Sequence, residues 1–147
     1  MMKIVLLIVA SVAVANAGNC KQVRDAKLEE LKKKPLFGAF IPQCDADGTY
    51  ARVQYMGATT YCAAKDGQRI GDYTANRANR DVDCNCARDQ YEYKQLGIVG
   101  KLFSCEQSGN YKSVQCSGSV CFCVDNKGLQ LAGTDTVKIG ETDRLNC

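Results

Sequence analysis

The sequence predicts a small disulfide-rich α+β protein of two tandem units, each a short helix plus a small antiparallel sheet with long loops. Three observations predict it. All ten cysteines follow residue 17. Leu, Ile, Val and Phe thin out beyond the N-terminal segment, and Trp is absent. One order of signals then occurs twice, on either side of Cys84-Asn85-Cys86. A helical stretch leads to a Gly-containing loop, a cysteine, a Gly-x-Tyr turn, Val-Gln, a Gly-rich hairpin, then Asp and Gly and a closing cysteine. A unit of about 65 residues used twice accounts for this order better than one domain.

The N-terminus reads as an export signal. Lys3 supplies a charge, Ile4 to Val14 is apolar except for Ser11, and Ala15-Asn16-Ala17 offers small residues for cleavage after Ala17. The apolar run is too short for a membrane span, which needs ~20 residues. The expected divisions are a signal peptide at 1–17, a first unit at 18–84 and a second at 85–147, in a secreted, extracellular protein. An even cysteine count in a small exported chain reads as five disulfides. The thin apolar content makes them necessary, because each restricts the unfolded chain by ~2–4 kcal/mol.

Composition excludes several functions. The chain has no histidine, which removes Ser-His-Asp and Cys-His catalysis and the commonest metal ligand. The formal net charge is +3, too small to argue for nucleic acid. No cofactor, metal, nucleic-acid or membrane partner is expected, and the mature protein is expected to be a monomer. Cys84-x-Cys86 and Cys121-x-Cys123 are spaced too tightly for the usual zinc pairs.

Lys21 to Lys34 reads as the first helix, with Glu29–Lys33 and Glu30–Lys34 at i,i+4 and Pro35 as its stop. Ala87 to Leu96 reads as its weaker counterpart, ended by Gly97. Asp45-Ala46-Asp47-Gly48 and Gln107-Ser108-Gly109-Asn110 are turn chemistry. Thr49 to Tyr55 and Tyr111 to Cys116 read as strands.

Gln115-Cys116-Ser117-Gly118-Ser119-Val120-Cys121-Phe122-Cys123-Val124-Asp125 resembles the signature of the thyroglobulin type-1 domain, with Phe122 where the family usually has Trp. Gly133-Thr134 matches a further family feature. The first unit resembles the family at Gly38 to Ala51 and Val53-Gln54. There Tyr55 stands for the third cysteine and Ala64 for the fifth, Cys62 remains as the fourth, and Ala63 takes the Trp place.

The resemblance implies a disulfide pattern of first to second, third to fourth and fifth to sixth. It implies Cys20–Cys44 in module one, with the orphaned Cys62 and Cys84 joining, and Cys86–Cys105, Cys116–Cys121 and Cys123–Cys147 in module two. Cys84 and Cys86 remain interchangeable at this stage.

Several family members inhibit papain-like cysteine proteases with three loops that form a wedge and enter the active-site cleft without reacting. The resemblance therefore implies no enzyme, but a reversible inhibitor whose partner is a papain-like cysteine protease. The implied contacts in module two are Ile98, Val99, Gly100 and Leu102 of the first loop, Ser117, Gly118, Ser119 and Val120 of the second, and Lys127 of the third. The implied loops of module one are Leu36 to Ile41, Met56 to Tyr61 and Asp66-Gly67. Family members also include non-inhibitory binding modules for matrix or growth factors. A venom or defence component with another target fits the same composition.

Overall fold

A computed structural model describes residues 19–147, so the expected signal peptide lies outside the described residues. Helix α1 spans Cys20–Lys33 and buries only Cys20. Its Lys32 and Lys33 face the negative end of the helix dipole. Lys34 is extended ahead of Pro35, as the residue before a proline prefers. The expected i,i+4 ion pairs do not form. Lys27–Glu30 and Lys32–Glu29 pair at i,i+3 instead, and exposed pairs of this kind add little stability.

Three strands follow, β1 (Val53–Met56), β2 (Thr59–Ala63) and β3 (Arg69–Asn76), in an antiparallel sheet of order β1-β2-β3. Module two repeats the plan with α2 (Asn85–Gln95), β4 (Lys101–Leu102), β5 (Val114–Ser117), β6 (Val120–Cys123) and β7 (Thr136–Lys138). Its sheet runs β4-β5-β6-β7 and is also antiparallel. The strands read as Thr49 to Tyr55 and Tyr111 to Cys116 begin later than expected. Tyr50 and Tyr111 instead make single bridges back to Cys44 and Cys105.

The two units repeat one hydrogen-bond pattern at their buried glutamines. Gln54 accepts the Gln43 N–H at Oε1 and donates to the Gln43 and Ala51 carbonyls. Gln115 accepts from Ser104 and donates to the Ser104 and Lys112 carbonyls in the same way. Each side chain satisfies a strand edge that would otherwise be buried unpaired. Gly67 and Gly128 likewise close over Tyr50 and Tyr111, where an added Cβ would lie 2.9 and 2.4 Å from ring carbons.

All five disulfides expected from the resemblance are present, and the described residues contain no free cysteine. Their assignment to family positions in module one changes, however. Cys116 lies opposite Cys121, and Val114 opposite Cys123. In module one Tyr55 lies opposite Thr60, and Val53 opposite Cys62. Thr60 therefore stands for the fourth cysteine and Cys62 is the fifth. Cys62–Cys84 is the ordinary fifth-to-sixth bridge and not a union of orphans. The aromatic family place falls to Tyr61, opposite Gln54 as Phe122 is opposite Gln115, and not to Ala63.

Cys84 and Cys86 do not exchange. Cys84 is left-handed at φ 56°, the one non-glycine residue with positive φ among those described. That conformation costs ~1–2 kcal/mol. It turns the chain so that Cys84 enters the first core and Cys86 the second. The first core gathers Cys62, Ala64, Ile70, Cys84 and Ala87, with Tyr91 packed against it. The second gathers Cys86, Tyr111 and Val124, with Phe103 and Phe122 beside them. Ala87 and Tyr91 belong to α2, so the second module's helix completes the first module's core.

The seam between the modules is otherwise polar. Asn110 Oδ1 accepts the Asp83 and Cys84 N–H groups, and Asn110 Nδ2 donates to the Asp81 carbonyl. The Thr74 N–H donates to the Gln107 carbonyl, and Gln107 Nε2 to that of Asp72. Arg88, 1% exposed, donates from Nε to the Ala63 carbonyl and from Nη2 to that of Tyr50.

Candidate functional site

The β5–β6 hairpin turns through Gly118-Ser119, with Ser117 opposite Val120 and Gly118 at φ 59°. Two residues of this kind suit the tight turn between twisted antiparallel strands. One residue behind the turn, Cys116–Cys121 crosslinks the two strands directly, with 4.0 Å between Cα atoms. The turn thus rests on a covalent rung.

Two neighbouring segments are tied to it through backbone. The Gly118 N–H donates to the Gly100 carbonyl, 3.3 Å away, and Lys101 pairs with Ser117. On the other side, the Ile139 N–H donates to the Ser119 carbonyl at 2.9 Å. Three chain segments therefore meet at one end of the sheet: Ile98 to Leu102, Ser117 to Val120, and Ile139-Gly140.

Their apolar side chains stay outside the core. Val99 is 91% exposed, and Ile98, Leu102, Val120 and Ile139 are each between two-fifths and three-fifths exposed. Only Phe103, just beyond the first loop, turns inward against Tyr93 and Tyr111. Single exposed apolar residues are ordinary, whereas a cluster on one edge marks a contact surface.

Lys127 does not join this cluster. It sits in the turn after β6, where its N–H donates to Asp125 Oδ1 and the Gly128 N–H returns to the Asp125 carbonyl. β6 separates that turn from Gly118. The third segment at the loop end is Ile139-Gly140, which the sequence reading missed. Its only signal was the short alternation of Thr136-Val137-Lys138-Ile139 before a glycine.

Module one builds the same end with different chemistry. The turn is Gly57-Ala58, and the Arg77 N–H donates to the Ala58 carbonyl as Ile139 does to Ser119. Tyr55 and Thr60 replace the crosslinked cysteines. The Arg77 guanidinium lies over the Tyr55 ring, 4.7 Å from its centroid. The first loop presents Phe37 fully exposed and Leu36 half exposed, and Met56 beside the Gly57 turn is half exposed as well. Asp66-Gly67, like Lys127, lies at the far end of β2.

Tyr111 anchors module two beneath the Gly128 turn. Its hydroxyl donates to Asp89 Oδ2 at 2.8 Å. Burial, followed by the Asp89 hydrogen bond, pushes its phenol well above the usual tyrosine range. Burial also raises the Asp83 carboxyl at the seam, partly opposed by the Asn85 N–H it accepts. Among the described residues no group of His, Cys, Asp and Glu side chains is placed to hold a metal ion, and no helix is long and apolar enough to cross a membrane.

The family model for the thyroglobulin type-1 repeat matches this chain twice, at residues 20–86 and 99–143. The chain is similar to equistatin of Actinia equina, 30% identical over 133 residues that cover 82% of this chain and 54% of equistatin. It is similar to U20-hexatoxin-Hi1a of Hadronyche infensa, 30% identical over 151 residues and 97% of both chains. Bovine thyroglobulin matches at 28% identity over 65% of this chain and 4% of its own length. The chain thus spans about half of equistatin and a small part of thyroglobulin.

Proposed function

Because this chain belongs to the thyroglobulin type-1 repeat family, whose modules inhibit or bind rather than catalyse, we propose that it is a secreted, reversible inhibitor of papain-like cysteine proteases. Module two is the proposed inhibitory unit, at residues 85–147, with module one at 18–84. The observation that carries the reading is the convergence of Gly100, Gly118-Ser119 and Ile139 through two backbone hydrogen bonds, with Ile98, Val99 and Val120 exposed around them.

The physical argument is pre-ordering. A loop already held in its bound shape loses little entropy on entering a cleft, so more of its contact energy appears as affinity. The Cys116–Cys121 rung and the two flanking hydrogen bonds supply that order. Glycines at 100 and 118 let the backbone approach a narrow groove closely. The apolar side chains beside them suit the hydrophobic subsites of such a groove. Peptide carbonyls bonded within this scaffold are poorly presented for attack, which fits binding without cleavage.

Titrating the oxidised protein against papain, with aspartic and serine proteases in parallel, tests this. Reversible, saturable loss of papain activity without cleavage of the inhibitor is the expected result. Full papain activity at micromolar inhibitor rejects it. The end-to-end match to a hexatoxin favours a venom or defence setting. If every protease runs unhindered, a non-protease target in that setting becomes the reading to pursue.

A further inference from the structure

Replacing the third and fourth cysteines did more than remove a crosslink from module one. A polar pocket lies behind the Gly57-Ala58 turn, between the sheet and the segment that follows β3. Tyr55, Thr60, Arg77, Asn79 and Arg80 line it, with Val53 and Val82 as its apolar floor. The corresponding places in module two hold Cys116, Cys121, Ile139, Glu141 and Thr142. In module two the disulfide and an isoleucine stand in the places of Tyr55, Thr60 and Arg77, and neither arginine has a basic counterpart. The pocket is therefore particular to module one.

Its wall is a set of hydrogen-bond donors. No carboxylate lines it, and among the described residues neither Arg77 nor Arg80 takes part in an ion pair. Arg77 is held by the Tyr55 ring and by a 3.4 Å bond from Nη1 to the Gly57 carbonyl, which leaves its other N–H groups free. Asn79 Oδ1 accepts the Asp81 N–H at 3.0 Å, so its amide nitrogen is the end left to donate. The buried Thr60 hydroxyl is committed to the Ala75 carbonyl.

We propose that this pocket binds one carboxylate side chain of a protein partner. Two guanidinium groups and an amide N–H₂ among its lining residues supply the donors that a carboxylate's lone pairs accept. The pocket sits directly behind a loop end that carries exposed apolar residues, as a protein-facing surface does. An extended sulfated polymer needs a long basic track. Here Asp81 follows Arg80 directly in the chain, and the whole chain is only +3. The proposal is independent of which protease, if any, module two inhibits.

Amide chemical shifts of the oxidised full-length protein provide the test, with N-acetylglutamate methylamide as the probe. Saturable shifts confined to Thr60 and Arg77–Arg80 are expected, with no response to the matching glutamine compound. Arg80→Gln, at a side chain with no hydrogen bond or ion pair among the described residues, should weaken the response by at least ~10-fold, and Arg80→Lys by less. Arg77→Gln, read beside it, should also weaken binding. Equal response to glutamate and glutamine, or undiminished binding in both glutamine variants, overturns the proposal. Tighter binding of a heparin oligosaccharide at the same residues also overturns it.

Discussion

Arg88 of the second module's helix donates its Nε–H to the Ala63 carbonyl of the first module's sheet at 2.8 Å. With the bond to Tyr50 and the 3.6 Å approach of Asp45, this arginine is enclosed by module one while its own backbone belongs to module two. The two repeats are joined as parts of one body.

Arg88→Ala takes this donor from the buried Ala63 carbonyl and the part-buried Tyr50 carbonyl and opens a cavity. It should cost ~2–4 kcal/mol of stability. Urea denaturation should show one transition shifted for both modules, and hydrogen exchange should rise in β2 as well as in α2. Lys at this position should not rescue, since one ammonium lacks the planar fork that reaches both carbonyls.

Gly109 and Gly118 both have positive φ but differ in what surrounds them. A Cβ at Gly109 would lie 2.4 Å from Cys62 Sγ, whereas one at Gly118 meets nothing within 4 Å. Gly118→Ala should cost only the backbone strain, ~1 kcal/mol. Gly109→Ala should cost more and separate the seam. Parallel thermal melts of the two variants, with the yield of five-disulfide product on refolding, check the contrast.

The crosslinked hairpin should separate stability from binding. Cys116→Ala with Cys121→Ala removes a very short loop closure, worth ~2 kcal/mol. The melting temperature should fall moderately while the fold persists. On the proposed function, inhibition of papain should weaken mainly through faster dissociation, because the turn must then be ordered on binding. Stopped-flow dissociation rates of the two proteins decide it.

The corrected register makes a constructive prediction. Tyr55 and Thr60 lie directly opposite, as Cys116 and Cys121 do. Tyr55→Cys with Thr60→Cys should therefore close a sixth disulfide. Intact mass should show two hydrogens lost relative to the reduced pair, with the other five bridges unchanged by peptide mapping.

Tyr111 predicts an alkaline weakness. Its folded pKa lies above the ordinary value of 10.0 because burial and Asp89 disfavour the phenolate. The folded chain therefore holds the proton that the unfolded chain releases. This contribution is complete below about pH 10 and is lost as pH rises beyond it. Stability should fall with increasing pH in that range, and Tyr111→Phe should flatten the fall while losing about 1 kcal/mol at neutral pH with the Asp89 bond. Denaturation midpoints across the alkaline range, read beside tyrosinate absorbance, check the sign.

Much of this molecule is local and so was readable in its residues. The even cysteine count, the repeated Gly-x-Tyr and Val-Gln order, the helix stop at Pro35 and the Gly-rich hairpin at Ser117 to Val120 depend on neighbours in the chain. Tertiary structure decided the rest, because it depends on what lies opposite or beneath a residue. Cys62 became a fifth cysteine only through its place opposite Val53. Lys127 left the loop cluster, and Ile139 entered it, through the direction in which β6 and β7 run. Ala87 and Arg88 carry no mark of serving another module's core. A side chain's burial partner is set by how elements pack, and that packing involves residues dozens of positions away.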